Sequence, residues 1–126
     1  MLEVGIQNGC SGEVTPQNTA KSVGSGSLSV FATPSMIALM EKAAAECVQP
    51  LLEDGQTSVG TMMNVSHLSA TPVGMKVTAK CTLSGIDGRR LCFDVEASDE
   101  RGLIGKGTHE RFIVNAEKFQ QKANNK

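Results

Sequence analysis

Glu41 interrupts an apolar helical stripe. From Pro34 to about Val48, the residues Ile37, Met40, Ala44, Cys47 and Val48 recur at helical spacing with Glu41 among them. Lys42 and Glu46 fall on or toward the opposite side, while Met36 and Leu39 lie outside the main stripe. A carboxylate in such a stripe must be paired, hydrogen-bonded or protonated, because desolvating it bare costs several kcal/mol. It could be a structural acid bonded to a neighbour, or a general base or nucleophile.

His67 is the second candidate. In the strand-like run that begins at Thr57, Val59, Met63, Val65 and His67 share a face at period two, so an imidazole stands in line with apolar side chains. The bland role is a hydrogen-bonded core histidine; the chemical one is proton transfer near neutral pH. An acid and an imidazole both set into apolar faces of a small chain are expected to meet. Thr33, just before Pro34, is a natural N-cap. The same helix N-terminus also offers free N–H groups to a developing oxyanion.

Gly60 and Arg111 carry weaker signals. Glycine inside an apolar strand marks a bulge or a close backbone approach. Gly60 has parity opposite to His67, so a bulge or a backbone contact is needed for both to serve one site. Arg111 reads as a strand-end surface cation, His109 as a structural imidazole, and Arg89 and Arg90 as surface charge able to hold phosphate. Met62 and Met63, whose flexible side chains adapt to several ligand shapes, are expected to line a pocket.

The elements that must position these residues are legible in outline. Gly9 to about Ser29 is rich in Gly, Ser, Thr and Asn and reads as loop, with a short strand around Glu13–Thr15. After the helix, Pro50 and Glu53-Asp54-Gly55 close it. Strands are then expected at Thr57–Ala70, Lys76–Ser84, Arg90–Ser98 and Lys106–Val114, with Asp87-Gly88 as a hairpin turn. The polar tail from about residue 117 is expected to fray. The whole chain, 1–126, reads as one α+β domain of hotdog type, a long central helix wrapped by a curved antiparallel sheet of about five strands. The open edges of such a sheet point to a homodimer.

Composition narrows the function. With 126 residues, net charge −1 and a pI of about 6.1, there is no polybasic surface for nucleic acid or anionic membrane. Trp and Tyr are absent and Phe occurs four times, so base-stacking platforms lack material. Cys10, Cys47, Cys81 and Cys92 form no C-x-x-C pair, and with two His they give no metal-ligand cluster. No export signal or membrane-length apolar run is visible, so a cytoplasmic protein with reduced thiols is expected.

These residues together resemble the fluoroacetyl-CoA thioesterase-like hotdog family. The resemblance is carried by Val30-Phe-Ala-Thr-Pro-Ser-Met-Ile-Ala-Leu-Met-Glu41, Ser58-Val-Gly-Thr, His67-Leu-Ser-Ala-Thr-Pro-Val-Gly74, Asp87-Gly-Arg-Arg and Gly105-Lys-Gly-Thr-His-Glu-Arg111. It covers about residues 12 to 119, with eight residues from Thr33 to Glu41 and 26 from Glu41 to His67. It implies hydrolysis of an acyl-CoA substrate, without other cofactor or metal, by Thr33, Glu41 and His67 at a homodimer interface. Gly60 and Arg111 match positions near the acyl end of the family's pocket. Where the fluoroacetyl-specialised enzyme has lid phenylalanines before Phe31, this chain has Lys21-Ser-Val-Gly-Ser-Gly-Ser-Leu-Ser29, so fluoroacetyl selectivity is not expected. Rival functions are a hotdog enoyl-CoA hydratase, a non-catalytic acyl-CoA binding module and a purely structural dimer.

Overall fold

The computed structural model describes residues Met1–Lys126. Strand β1 (Gln7–Glu13) leads through a short helix α1 (Ala20–Val23) to the long helix α2 (Thr33–Val48). A single 3-10 turn at Gln49–Leu51 ends it, and β2 (Gln56–His67), β3 (Lys76–Asp87), β4 (Arg90–Asp99), β5 (Gly102–Asn115) and helix α3 (Ala116–Asn124) follow. The five strands form one antiparallel sheet in the order β1-β3-β4-β5-β2.

Proline in its first turn starts α2 without loss of a hydrogen bond, and Pro50 falls in the 3-10 turn that closes it. Its buried residues are Met36, Met40, Ala43, Ala44 and Val48. The stripe is therefore rotated from the expected one: Met36 belongs to the core and Ile37 is only half-buried. Two adjacent alanines let the helix approach β1 and β3 closely. From the sheet, Val77, Ala79, Cys81 and Leu83 alternate inward on β3, and Leu91, Phe93, Val95 and Ala97 do so on β4.

Irregularities curve the sheet around α2. The register shifts at Leu83/Gly85, at Ala97/Ser98 and at Gly60/Met62. On β5, a Cβ at Gly105 would lie 2.6 Å from the Met36 sulfur, and one at Gly107 would lie 2.6 Å from the Val65 Cα. These two glycines let α2 and β2 close over β5.

The bulge in β2 resolves the parity question. Gly60 pairs with Arg111, Met63 with His109 and His67 with Gly105, so all three lie on the helix side. Val59 does not share that face, because it pairs with the exposed Phe112. Met63 packs against the core, whereas Met62 is paired with Glu110.

Two segments differ from sequence expectation. The first strand runs over Gln7–Glu13 rather than around Glu13–Thr15; it lacks an apolar alternation because Asn8 and Cys10 stand where apolar side chains would have marked it. Their side chains donate to the Ala43 carbonyl at 3.0 Å and the Leu39 carbonyl at 3.2 Å. The tail is helix α3, capped by the Asn115 side chain accepting from the Lys118 N–H, and exposed throughout. The four cysteines are free, and no helix is long and apolar enough to cross a membrane.

Candidate active site

Thr33 is not the helix cap expected from its position. Ala32 occupies the N-cap, and the Thr33 Oγ1 lies 2.7 Å from His67 Nδ1. Two backbone ties hold this pair in place. Phe31 N–H donates to the Thr71 carbonyl at 2.9 Å, and Leu68 N–H to the Ile104 carbonyl at 2.6 Å. The other ring nitrogen, His67 Nε2, is buried and has no hydrogen-bond partner. A cavity of about 280 Å³ opens on the pair, lined also by Ala20, Ser25, Val30, Phe31 and Leu68. Burial holds the His67 pKa below the ordinary imidazole value, against a smaller upward pull from the Ser69 backbone. Met62 and Met63, expected to line a pocket, are not part of this lining.

Glu41 belongs to a second cluster. Its side chain is 43% exposed in the single chain, so the acid is less sequestered than its stripe suggested. It lies toward the rim of the helix–sheet interface, with Oε2 3.7 Å from Arg111 Nη1. Gly60 makes the room: a Cβ there would sit 2.5 Å from that same oxygen. Arg111 is not a surface cation. It is 6% exposed, donating from Nε to Ser58 Oγ at 2.8 Å and from Nη2 to the Ser58 carbonyl at 2.9 Å. Its Nη1 is 3.3 Å from His109 Nε2, and His109 Nδ1 is 2.8 Å from the Met62 carbonyl.

These contacts fix the His109 tautomer. A guanidinium only donates and a carbonyl only accepts, so Nδ1 carries the proton and Nε2 the lone pair. Burial is the main reason the His109 pKa is held low, and the Arg111 charge adds to it. The Met62 carbonyl and the Glu41 and Glu110 charges oppose it.

The structure thus joins Thr33 to His67, and Glu41 to Gly60 and Arg111. It does not join Glu41 to His67 within one chain. Eight helical residues carry the chain roughly 12 Å along the axis, which separates Thr33 from Glu41. Ser58 was not singled out from sequence; its inward position two residues before Gly60 was the available signal. A larger hollow, about 570 Å³, lies on the outer sheet face beside Lys80, Asp94 and Glu96, away from both clusters.

Both depressed histidines make stability depend on pH. As pH falls through about 6.5 the unfolded chain protonates first, so stability that is complete above that value declines toward the folded-state pKa values. Urea midpoints should therefore drop between about pH 8 and about pH 5, less steeply for His109→Gln. A level wild-type midpoint over that range would contradict rings buried in the neutral form.

A long helix wrapped by one curved antiparallel sheet is the hotdog fold. With a threonine–histidine pair at the helix N-terminus and an acid on the same helix, it is that of a hotdog thioester hydrolase. The chain belongs to the fluoroacetyl-CoA-specific thioesterase family, whose pattern it matches over residues 14–117. It is 45% identical over 97 residues to a fluoroacetyl-CoA thioesterase from Streptantibioticus cattleyicolor, covering 77% of this chain and 70% of that protein. A solved fluoroacetyl-CoA thioesterase superposes with TM-score 0.94 at 37% identity, covering 100% of this chain and 98% of the other. A threonine-to-serine variant of such an enzyme, solved with acetyl-CoA, superposes with TM-score 0.93 at 37% identity over 98% of each chain. A thioesterase superfamily member from Thermus thermophilus gives 0.90 at 29% identity, over 99% of this chain and 93% of that one.

Proposed function

We propose that this acyl-CoA thioesterase acts as one hotdog unit paired with a second copy, and that each active site combines Thr33 and His67 of one subunit with Glu41 of the partner subunit. The observation that carries this is the 2.7 Å Thr33–His67 contact with a buried, unpartnered Nε2 on its far side. Within the chain no polar group meets that nitrogen, so it is available to a group brought to it.

The edge strand β2 can supply it. It is 12 residues long, with no proline, lysine, arginine or carboxylate to block pairing. Antiparallel pairing of two β2 strands about a twofold at Asn64 keeps inward residues opposite inward ones, Met63 against Val65, and sets His67 of one at the Gly60/Met62 bulge of the other. Glu41 rests on Gly60, so each acid would come alongside the other subunit's imidazole.

In this arrangement Thr33 Oγ1 and the free N–H groups of the first turn of α2 polarise the thioester carbonyl. Glu41 removes a proton from water, or attacks directly to give an acyl-enzyme. By the first route the C–O bond to water forms, the C–S bond breaks, and His67 conveys the water's proton to the departing thiolate; by the second the thiolate takes the His67 proton, and water then hydrolyses the Glu41 anhydride and returns it. Gly60 and Arg111 border the acyl end and hold the carboxylate. The short Thr33–His67 contact also favours a third route, attack by Thr33 with His67 as base. Acyl-enzyme trapped in a rapid quench and mapped to the Thr33 or the Glu41 peptide separates the two covalent routes.

The cavity lining favours a substrate range wider than fluoroacetyl. Of Lys21–Ser29, a stretch without an aromatic ring, only Ser25 lines the Thr33–His67 cavity. Thiol release should be measured with acetyl-, propionyl-, butyryl-, hexanoyl- and fluoroacetyl-CoA. Fluoroacetyl-CoA is expected to exceed acetyl-CoA in kcat/KM by less than about tenfold. A preference above about 10³-fold would overturn the wider-range reading, and no thiol release from any ester would overturn the hydrolase reading.

A further inference from the structure

Ser58 and His109 have no part in the chemistry above, yet both are buried, at 8% and 1% exposure, and both bond to Arg111. We propose that they are positioning residues: together they fix the Arg111 guanidinium against the Glu41 carboxylate, and His109 can do so only as the neutral Nδ1–H tautomer. This rests on the thioesterase reading in so far as Glu41 takes part in turnover.

The guanidinium is a planar fork of five N–H donors. Ser58 accepts from Nε and Nη2, and His109 from Nη1. A plane held at three points cannot swing about its long stem. What remains of Nη1 faces Glu41 Oε2, and Glu41 is the only carboxylate paired with Arg111. At 3.7 Å the link is charge attraction rather than a hydrogen bond, so the carboxylate is oriented without losing an acceptor site.

His109 is itself immobile. It donates to the Met62 carbonyl and stacks on Phe93, with ring centroids 5.9 Å apart and planes 29° from parallel. The charged groups around it are Arg111 and Glu110 on β5 and Glu41 on α2, while β4 presents the Phe93 ring and β2 the Met62 carbonyl. Protonation of Nε2 would set N–H against N–H and cation against cation. Arg111 would have to withdraw, and Glu41 would lose its orienting charge. The clamp therefore opens in acid.

Three variants test it. Ser58→Ala removes the Nε acceptor and keeps the carbonyl contact. His109→Asn keeps a donor for Met62 but has no acceptor within reach of Arg111. His109→Gln carries an amide oxygen near the position of Nε2. With the fastest ester of the acyl-CoA panel, Ser58→Ala and His109→Asn should each lose roughly 10- to 100-fold in kcat. Their KM should move by less than about threefold. His109→Gln should stay within about threefold of wild type and lose less rate than wild type on acidification. Equal losses in the Asn and Gln variants, or no loss in folded protein, would overturn the proposal. Long-range proton–nitrogen NMR correlations of wild type give a readout independent of turnover. The His109 proton should be on Nδ1 at neutral pH, and a slowly exchanging Arg111 Nε–H should disappear in Ser58→Ala. A proton on Nε2 would sink the clamp even in an active enzyme. An enzyme silent toward every ester would sink the hydrolase reading while the NMR result still decided the clamp.

Discussion

Glu41→Gln is expected to lower kcat for thioester hydrolysis by about 10³-fold, with KM changed by no more than a few-fold. The substitution keeps size and shape and removes only the charge and the basic oxygen. Because the side chain is 43% exposed and its partner sits 3.7 Å away, the fold should tolerate the change, and a thermal melt should confirm it. Single turnover in heavy-oxygen water then divides the two routes of the wild-type enzyme. Label entering the Glu41 carboxylate marks direct attack with water opening the anhydride at the Glu41 carbonyl; label found only in the product acid, with no acyl-enzyme trapped in a rapid quench, marks general base catalysis. A Gln variant that hydrolysed all esters near the wild-type rate would remove Glu41 from the mechanism.

Mixing two inactive variants should restore activity. If each site takes His67 from one subunit and Glu41 from its partner, a Glu41→Gln chain paired with a His67→Asn chain carries one intact site and one doubly damaged site. Co-expression with random pairing makes half of the dimers mixed, so recovery should approach about one quarter of wild-type activity. Each variant alone should stay about 10²- to 10⁴-fold down. The gain is large because the two substitutions gather in one site and leave the other untouched. No recovery from a confirmed mixed dimer would mean that every site is built within one chain.

The legible and the illegible parts of the fold divide along physical lines. Period-two alternation on β3, the Asp87-Gly88 turn and the proline in the first turn of α2 are local signals, and they survive in the structure. The first strand was obscured because its helix-facing side chains at Asn8 and Cys10 are polar, satisfied by carbonyls 35 and 29 residues away. A Met36 core position was misplaced because a helix buried over much of its circumference has no single apolar edge to read.

For the site, the sequence by itself marked Glu41 and His67 as polar residues on apolar faces and Thr33 as a residue at the helix start, and the family spacing tied the three together. Only the tertiary structure decided what each touches. A bulge at Gly60/Met62 turned Gly60 onto the His67 face, a one-residue change that no period can foretell. Pairing across β2 and β5 buried Arg111 and gave it Ser58 and His109, partners 53 and two residues away. The same packing set Thr33 on His67 and left Glu41 a helix turn and more beyond reach. Side-chain type and spacing are written along the chain, whereas burial and partnership arise only when distant segments close on one another.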